Sequence, residues 1–195
     1  QEFSMVFRPF QSVTRFQTVL ADTENARDAH FRLRYRIFCE QTGFENPEAF
    51  PDQRETDEYD SSSIPFLVWD HVRRVFVGGL RLVQASESFL PSERITAHHF
   101  QVPPDRRSHS VEFSRLCVVP HSTPVREGNV IGGYPILTLD GKEIIPIAFV
   151  QKQNEVLVRL IRASLAWARD HGKRHCYYLT TTALARTLER IGVDL

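Results

Sequence analysis

Val111-Glu112-Phe113-Ser114-Arg115-Leu116-Cys117-Val118-Val119, closed by Pro120, is the stretch that decides the fold. It is long, apolar and β-branched enough for an inner strand, and proline cannot continue it. Yet it carries two charges, Glu112 and Arg115. Side chains alternate along a regular strand, so these two point to opposite faces unless the strand is kinked between them. A bulge at 114–116 is therefore expected if both serve one site. It would also turn a backbone N–H outward, where it can stabilise an oxyanion.

Upstream of this strand, residues 16–20 read as a first strand. Asp22-Thr23 supplies capping oxygens for a long helix in which Ala26, Ala29, Leu33, Ile37 and Phe38 recur near a helical period, and Gly43 is placed to stop it. Residues 46–60 are polar and acidic and read as a loop. Residues 65–69 and 75–83 read as two strands joined by a polar turn, with Gly78-Gly79 marking a bulge or a close backbone approach. Residues 86–110 form a connector with one helical turn.

Downstream, residues 134–139 and 143–149 flank Asp140-Gly141, a hairpin signal, and Pro135 and Pro146 confine those strands to a sheet edge. An amphipathic helix is expected over 154–171, stopped by Gly172, then a strand at 175–179 and a helix at 182–191 stopped by Gly192. The order gives one mixed α/β (α+β) domain over 5–195, with 123–149 as an inserted hairpin. The last helix leaves a sheet edge uncovered, so completing strands are expected beyond Leu195. Residues 1–4 precede Met5, the only methionine, and read as vector-derived.

A chain of 195 residues suits one domain with a sizeable core. Its 24 basic and 24 acidic residues cancel, which excludes a general nucleic-acid binder. Cys39, Cys117 and Cys176 are odd in number and lack CxxC spacing, so core thiols in a reducing cytoplasm are expected rather than disulfides. The eight histidines are dispersed and suggest no metal site. No apolar run approaches the length of a membrane span.

Four charge clusters lie beside apolar elements. They are Arg32, Arg34 and Arg36 on the first helix; Glu55, Asp57, Glu58 and Asp60 in the loop; Arg81 in the third strand; and Glu112 with Arg115. Buried charge is costly unless paired, so Arg81 and Arg115 should find partners among Glu55, Asp57, Asp60 and Glu112.

In this order the clusters resemble the motifs of bacterial autoinducer (acyl-homoserine-lactone) synthases: Arg34 with Phe38, then Phe44, then Glu55, Asp57 and Asp60, then Arg81, then Glu112 with Arg115. The wording of Phe44-Glu45-Asn46-Pro47, of Glu55 to Asp60 and of Phe113 to Val118 is similar also to acyltransferases of the PEP-CTERM/exosortase system, and N-acyl amino acid synthases are a further relative. The resemblance implies an acetyltransferase-like (GNAT) acyl-CoA N-acyltransferase fold. It implies an acyl carrier protein or acyl-CoA thioester as co-substrate, an amine as acceptor and no permanently bound cofactor.

By the same resemblance Glu112 and Arg115 are the catalytic residues. Arg34, Phe38, Phe44, Glu55, Asp57, Asp60, Arg81 and the Leu116-Cys117-Val118 backbone bind substrate. The Gln/Arg-x-x-Gly-x-Gly/Ala loop with which CoA-using members cradle pyrophosphate is not matched: Arg126-Glu127-Gly128-Asn129 is spaced differently, and Gly132-Gly133 lacks the upstream Arg or Gln. Three other readings stay open: a homoserine-lactone synthase using S-adenosylmethionine, an acetyl-CoA N-acetyltransferase, and a non-catalytic acyl-binding module.

Overall fold

In the computed structural model, which describes residues 14–85, 89–96, 99–119, 137–139, 142–144 and 147–190, strand β1 (Phe16–Leu20) leads into helix α1 (Glu24–Arg34). Thr23 caps the helix, its hydroxyl accepting from the Ala26 N–H at 3.2 Å. Beyond Arg34 the helix widens into π-helical turns over Tyr35–Gln41, and the Thr42 N–H reaches back five residues to the Ile37 carbonyl at 3.0 Å. Gly43, at φ +62°, ends it in the left-handed conformation that glycine adopts without strain.

Strands β2 (Ile64–Asp70) and β3 (Val75–Gln84) form an antiparallel hairpin. After a short helix α2 (Pro91–Ile95) comes β4 (Ser110–Val118), antiparallel to β3. Two short strands, β5 (Leu137–Leu139) and β6 (Lys142–Ile144), pair antiparallel as a separate sheet, with Leu139 opposite Lys142. Helix α3 (Ile147–Asp170), strand β7 (His175–Tyr178) and helix α4 (Thr182–Arg190) complete the described chain. The main sheet runs β1-β2-β3-β4-β7, antiparallel except for the parallel β4–β7 pair.

Alternation along the strands builds two cores. Phe66, Val68, Leu80, Leu82 and Val111 meet Val156, Leu157, Leu160 and Ile161 of α3 on one face. Leu67, Cys117 and Val119 meet Leu33 and Ile37 on the other. The Gly78-Gly79 pair explains how closely both helices approach. A Cβ on Gly78 would lie 2.6 Å from Val156 Cγ1, and one on Gly79 would lie 3.3 Å from atoms of His30 and Leu33. The expected irregularity is here too: β3 carries one extra residue, Val77, against Val68-Trp69 of β2.

One expectation needs correction. Residues 147–149, read as the end of the second hairpin strand, open α3, which starts at Ile147 rather than at 154. A short apolar run fits either period, and here it continues the helix. Residues 1–4, the 126–129 and 132–133 stretches, Pro135, Asp140-Gly141, Pro146 and Gly192 lie outside the described residues. No helix among the described residues is long and apolar enough to cross a membrane.

Candidate active site

The bulge is where the two charges of β4 required it. Gly79 sits opposite Cys117 and Arg81 opposite Ser114, so a single β3 residue, Leu80, faces both Arg115 and Leu116. Arg115 adopts φ +51°, a conformation that costs a non-glycine residue about 1 kcal/mol. Parity flips across it. Val111 and Phe113 before the bulge, and Leu116 and Val118 after it, face α3. Glu112, Ser114, Arg115 and Cys117 are thereby brought to the α1 side.

Next to the bulge the sheet opens. Strand β7 pairs with β4 from Ser110–His175 to Phe113–Tyr178, while β4 runs on to Val118 with no described strand on its outer edge. The gap leads into a cavity of about 440 Å³. Its apolar wall comes from Phe38, Phe44, Phe113, Leu116, Ile161, Leu165, Leu184 and Leu188, and its polar groups are Glu112, Ser114, Arg115 and Thr180. Phe38 and Phe44 meet at its mouth with their rings tilted by 56° and their centroids 6.1 Å apart. Phe44, Ile95 and Leu179 are more than half exposed there, so the lining is apolar surface open to a ligand.

Glu112 is 3% exposed and forms no ion pair among the described residues. One oxygen, Oε2, accepts from the Ser92 hydroxyl at 2.7 Å and from the Ser92 N–H at 3.0 Å. Burial pushes this carboxyl above the usual glutamate range, and the Ser92 bonds and the Arg81 charge offset only part of that push. A carboxyl whose proton affinity is raised beside a cavity has the property wanted of a candidate general base.

Behind the cavity lies the ion-pair network. Arg34, fully buried, bonds Glu55 through Nε and Asp60 through Nη1 at 2.5 Å. Arg81, also buried, takes Asp57 with both Nη atoms and Asp60 with Nη1, each at 2.6 Å. Arg115 binds Glu55 through Nε and Nη2 at 3.1 and 2.9 Å, and Glu45 at 3.0 Å. Burial alone would raise the Asp57 and Asp60 carboxyls, but the bonds and charge of Arg81 and Arg34 outweigh it and hold both below the ordinary aspartate value. Both inner-strand arginines thus find carboxylates, with Glu45 as an unforeseen partner and Glu112 as a partner of neither.

Of the residues singled out from sequence, Phe38, Phe44, Glu112, Arg115 and Leu116 line the cavity. Arg34, Glu55, Asp57, Asp60 and Arg81 sit behind it as the support of Arg115. Val118 lines a smaller neighbouring cavity of about 250 Å³. Cys117 does not reach either: its side chain packs against Leu33 and Ile37, and burial pushes its thiol up to about 12, which leaves it unreactive. Ser92, Ile95, Leu165, Thr180, Leu184 and Leu188 were not foreseen. Ser92 lies in a connector with no periodicity, and the apolar residues read simply as helix core. Among the described residues no cluster of three or more His, Cys, Asp or Glu side chains is placed to hold a metal.

A domain model described as acetyltransferase (GNAT) matches residues 33–133. Over 70 residues, 36% of this chain, the sequence is 40% identical to the isovaleryl-homoserine lactone synthase of Bradyrhizobium diazoefficiens, a match spanning 31% of that relative's length. Among solved structures, TofI in a ternary complex with an inhibitor and MTA superposes with a TM-score of 0.64 at 20% identity, over 91% of this chain and 79% of that one. The AHL synthase LasI gives 0.62 at 15% identity, over 92% and 79%. BjaI, a CoA-dependent acyl-homoserine lactone synthase bound to MTA, gives 0.57 at 22%, over 91% and 72%. These likenesses establish the fold.

Proposed function

Because this chain belongs to the acetyltransferase (GNAT) domain family, we propose that it is an N-acyltransferase that moves a long-chain acyl group from a thioester onto an amine, with Glu112 as general base. The observation that carries this reading is the Glu112 carboxyl, buried, raised in proton affinity and facing an apolar cavity beside the stretch of β4 that no described strand pairs on its outer edge. The donor is the thioester of a cytoplasmic acyl carrier protein or of CoA. The acyl chain lies against Phe38, Phe44, Leu165 and Leu184, a wall larger than an acetyl group needs.

Amine and thioester held together react as one molecule. The amine nitrogen attacks the carbonyl carbon while Glu112, directly or through a water, takes the ammonium proton. The outer edge of β4 past Phe113, which no described strand pairs, supplies N–H groups to the oxyanion. The tetrahedral intermediate then collapses: the C–S bond breaks, the nitrogen gives up its extra proton, and the departing sulfur takes a proton to leave as the thiol while the amide forms. No covalent enzyme intermediate is required, in keeping with the unreactive Cys117. Arg115 and the network behind it shape the polar half of the site.

The acceptor is an amine such as an amino acid in the reading that the resemblance to exosortase-associated acyltransferases and N-acyl amino acid synthases favours. A second reading makes it S-adenosylmethionine and the product a homoserine lactone. Two observations support that alternative: the 40% identity to a homoserine lactone synthase, and an excess of carboxylates around the site. Glu45, Glu55, Asp57 and Asp60 pair with Arg34, Arg81 and Arg115, and Glu112 stands beside them as a further carboxylate, a balance that suits a cationic acceptor. Mass spectrometry of products from long-chain acyl carrier protein or acyl-CoA, offered with amino acids and S-adenosylmethionine, names the acceptor in one experiment. Glu112→Gln should fold and lose turnover; unchanged turnover refutes the base assignment.

A further inference from the structure

We propose that Ser92 is the positioning residue of this site: it holds one carboxylate oxygen of Glu112 so that the other is presented to the substrate amine. The inference rests on the reading of Glu112 as general base. The hydroxyl and the backbone N–H of Ser92 converge on Oε2 at 2.7 and 3.0 Å. Among the described residues no other group donates to Glu112, and its side chain lines the cavity, so Oε1 is the oxygen left to meet a ligand. Two donors on one oxygen fix the terminal torsion of a carboxylate that would otherwise swing through a broad range.

Ser92 is itself fixed. Helix α2 is only five residues long and does not hold its shape by propensity. It is clamped by Glu93, which is 4% exposed and accepts from the Leu90 N–H at 2.7 Å, the Val102 N–H at 2.8 Å and Arg107 at 2.8 Å. The Thr96 hydroxyl closes the turn by donating to the Ser92 carbonyl at 2.7 Å. The clamp sets the backbone of α2, and Ser92 is the residue through which α2 bonds Glu112.

Both Ser92 bonds favour the ionised carboxylate and so oppose the upward push of burial. The other groups acting on Glu112 are Arg81 of β3, which favours the charged form, and Glu93 of α2, which disfavours it. Tyr59 of the acidic loop, which feels the Glu112 charge, and Tyr177, opposite Glu112 on β7, are further titratable groups beside it among the described residues. None of these groups bonds the Ser92 hydroxyl, so its removal acts on Glu112 directly.

The test is a carbon-detected NMR titration of the Glu112 side chain in the intact protein, run alongside the pH profile of kcat/KM. Ser92→Ala should raise the Glu112 midpoint by about one unit, since a hydrogen bond to a charged group is lost. The acid limb of kcat/KM should move with it, lowering the rate about tenfold on that limb. Ser92→Thr, which keeps the hydroxyl, should stay within a few tenths of a unit of wild type. If Ser92→Ala does not fold, the isosteric pair Ser92→Thr and Ser92→Val makes the same comparison. An unmoved midpoint overturns the proposal. Loss of turnover in Glu112→Gln together with that unmoved midpoint removes Ser92 and leaves the base. Full turnover in Glu112→Gln removes the base and the positioning role with it.

Discussion

Replacing Glu55 by glutamine should cost the fold about 3 kcal/mol. Glu55 is fully buried and divides its two oxygens between arginines: Oε2 takes Arg34 Nε, and Oε1 takes Arg115 Nε and Nη2 at 3.1 and 2.9 Å. A glutamine keeps the shape but offers one carbonyl, and its amide group turns donors toward a guanidinium. Breaking a buried ion pair costs about 3–5 kcal/mol. The lower end applies because Arg34 keeps Asp60 at 2.5 Å and Arg115 keeps Glu45 at 3.0 Å. Against a total stability of about 5–15 kcal/mol the variant still folds, with Tm lowered by about 6–12 °C. Urea unfolding followed by circular dichroism measures the loss, with an unchanged m-value as the two-state control. A double-mutant cycle with Arg34→Met should fall short of additivity by about 1 kcal/mol or more, because each single change strands the other's partner. A loss under about 1 kcal/mol would mean that the network behaves like screened surface pairs, and the reasoning would fail.

Stability should depend on pH with opposite signs in the two parts of the site. Asp57 and Asp60 are held below the unfolded value of about 3.9, so what they contribute is present above that value and is lost as pH falls through their folded values. Glu112 is held above its unfolded value of about 4.3, so its penalty is absent in acid and complete once pH exceeds its folded value. Glu112→Gln should therefore be more stable than wild type at neutral pH, with the gap closing toward pH 4; urea midpoints across that range would show it, and a constant gap would contradict it. Gly78→Ala should cost about 1–3 kcal/mol, because its Cβ meets Val156 Cγ1 at 2.6 Å, a β-branched side chain with little freedom to turn away. Gly79→Ala, whose nearest contacts are at 3.3 Å, should cost less, and thermal melts reversing that order would discount the packing account.

The strand elements were legible because their signals are local. Alternation placed β2, β3 and β4 to within a residue or two, and the two charges on β4 called for the bulge that the register and Arg115 φ confirm. The start of α3 was not legible, since Ile147, Ala148 and Phe149 fit a strand as well as a helix until the continuity with residue 154 onward decides. The π-helical turns over Tyr35–Gln41 also left no sequence signal, because helix and π-helix bury nearly the same residues. The partners of Arg81 and Arg115 followed from the cost of buried charge, although Glu45 did not, being placed by the turn at Gly43 rather than by any spacing. Ser92 was invisible for a similar reason: its contact with Glu112 spans twenty positions and depends on the Glu93 clamp, which is tertiary.

What the site shares is a departure from the local rules that the rest of the chain obeys. A non-glycine residue sits at positive φ, a buried carboxylate has no ion pair among the described residues, and apolar rings stand open to solvent. Each lowers stability by itself, and all lie within the same few residues of β4 and its surroundings. The Arg34–Glu55–Arg115 pairs hold the strained residue, and the Glu93 clamp holds the serine that meets the buried carboxylate. A fold that needed only a structural salt-bridge core would have no reason to keep Glu112 apart from the three arginines nearby. Burial, with no ion pair to offset it among the described residues, keeps the proton affinity of Glu112 high, and that is the property the proposed base role requires.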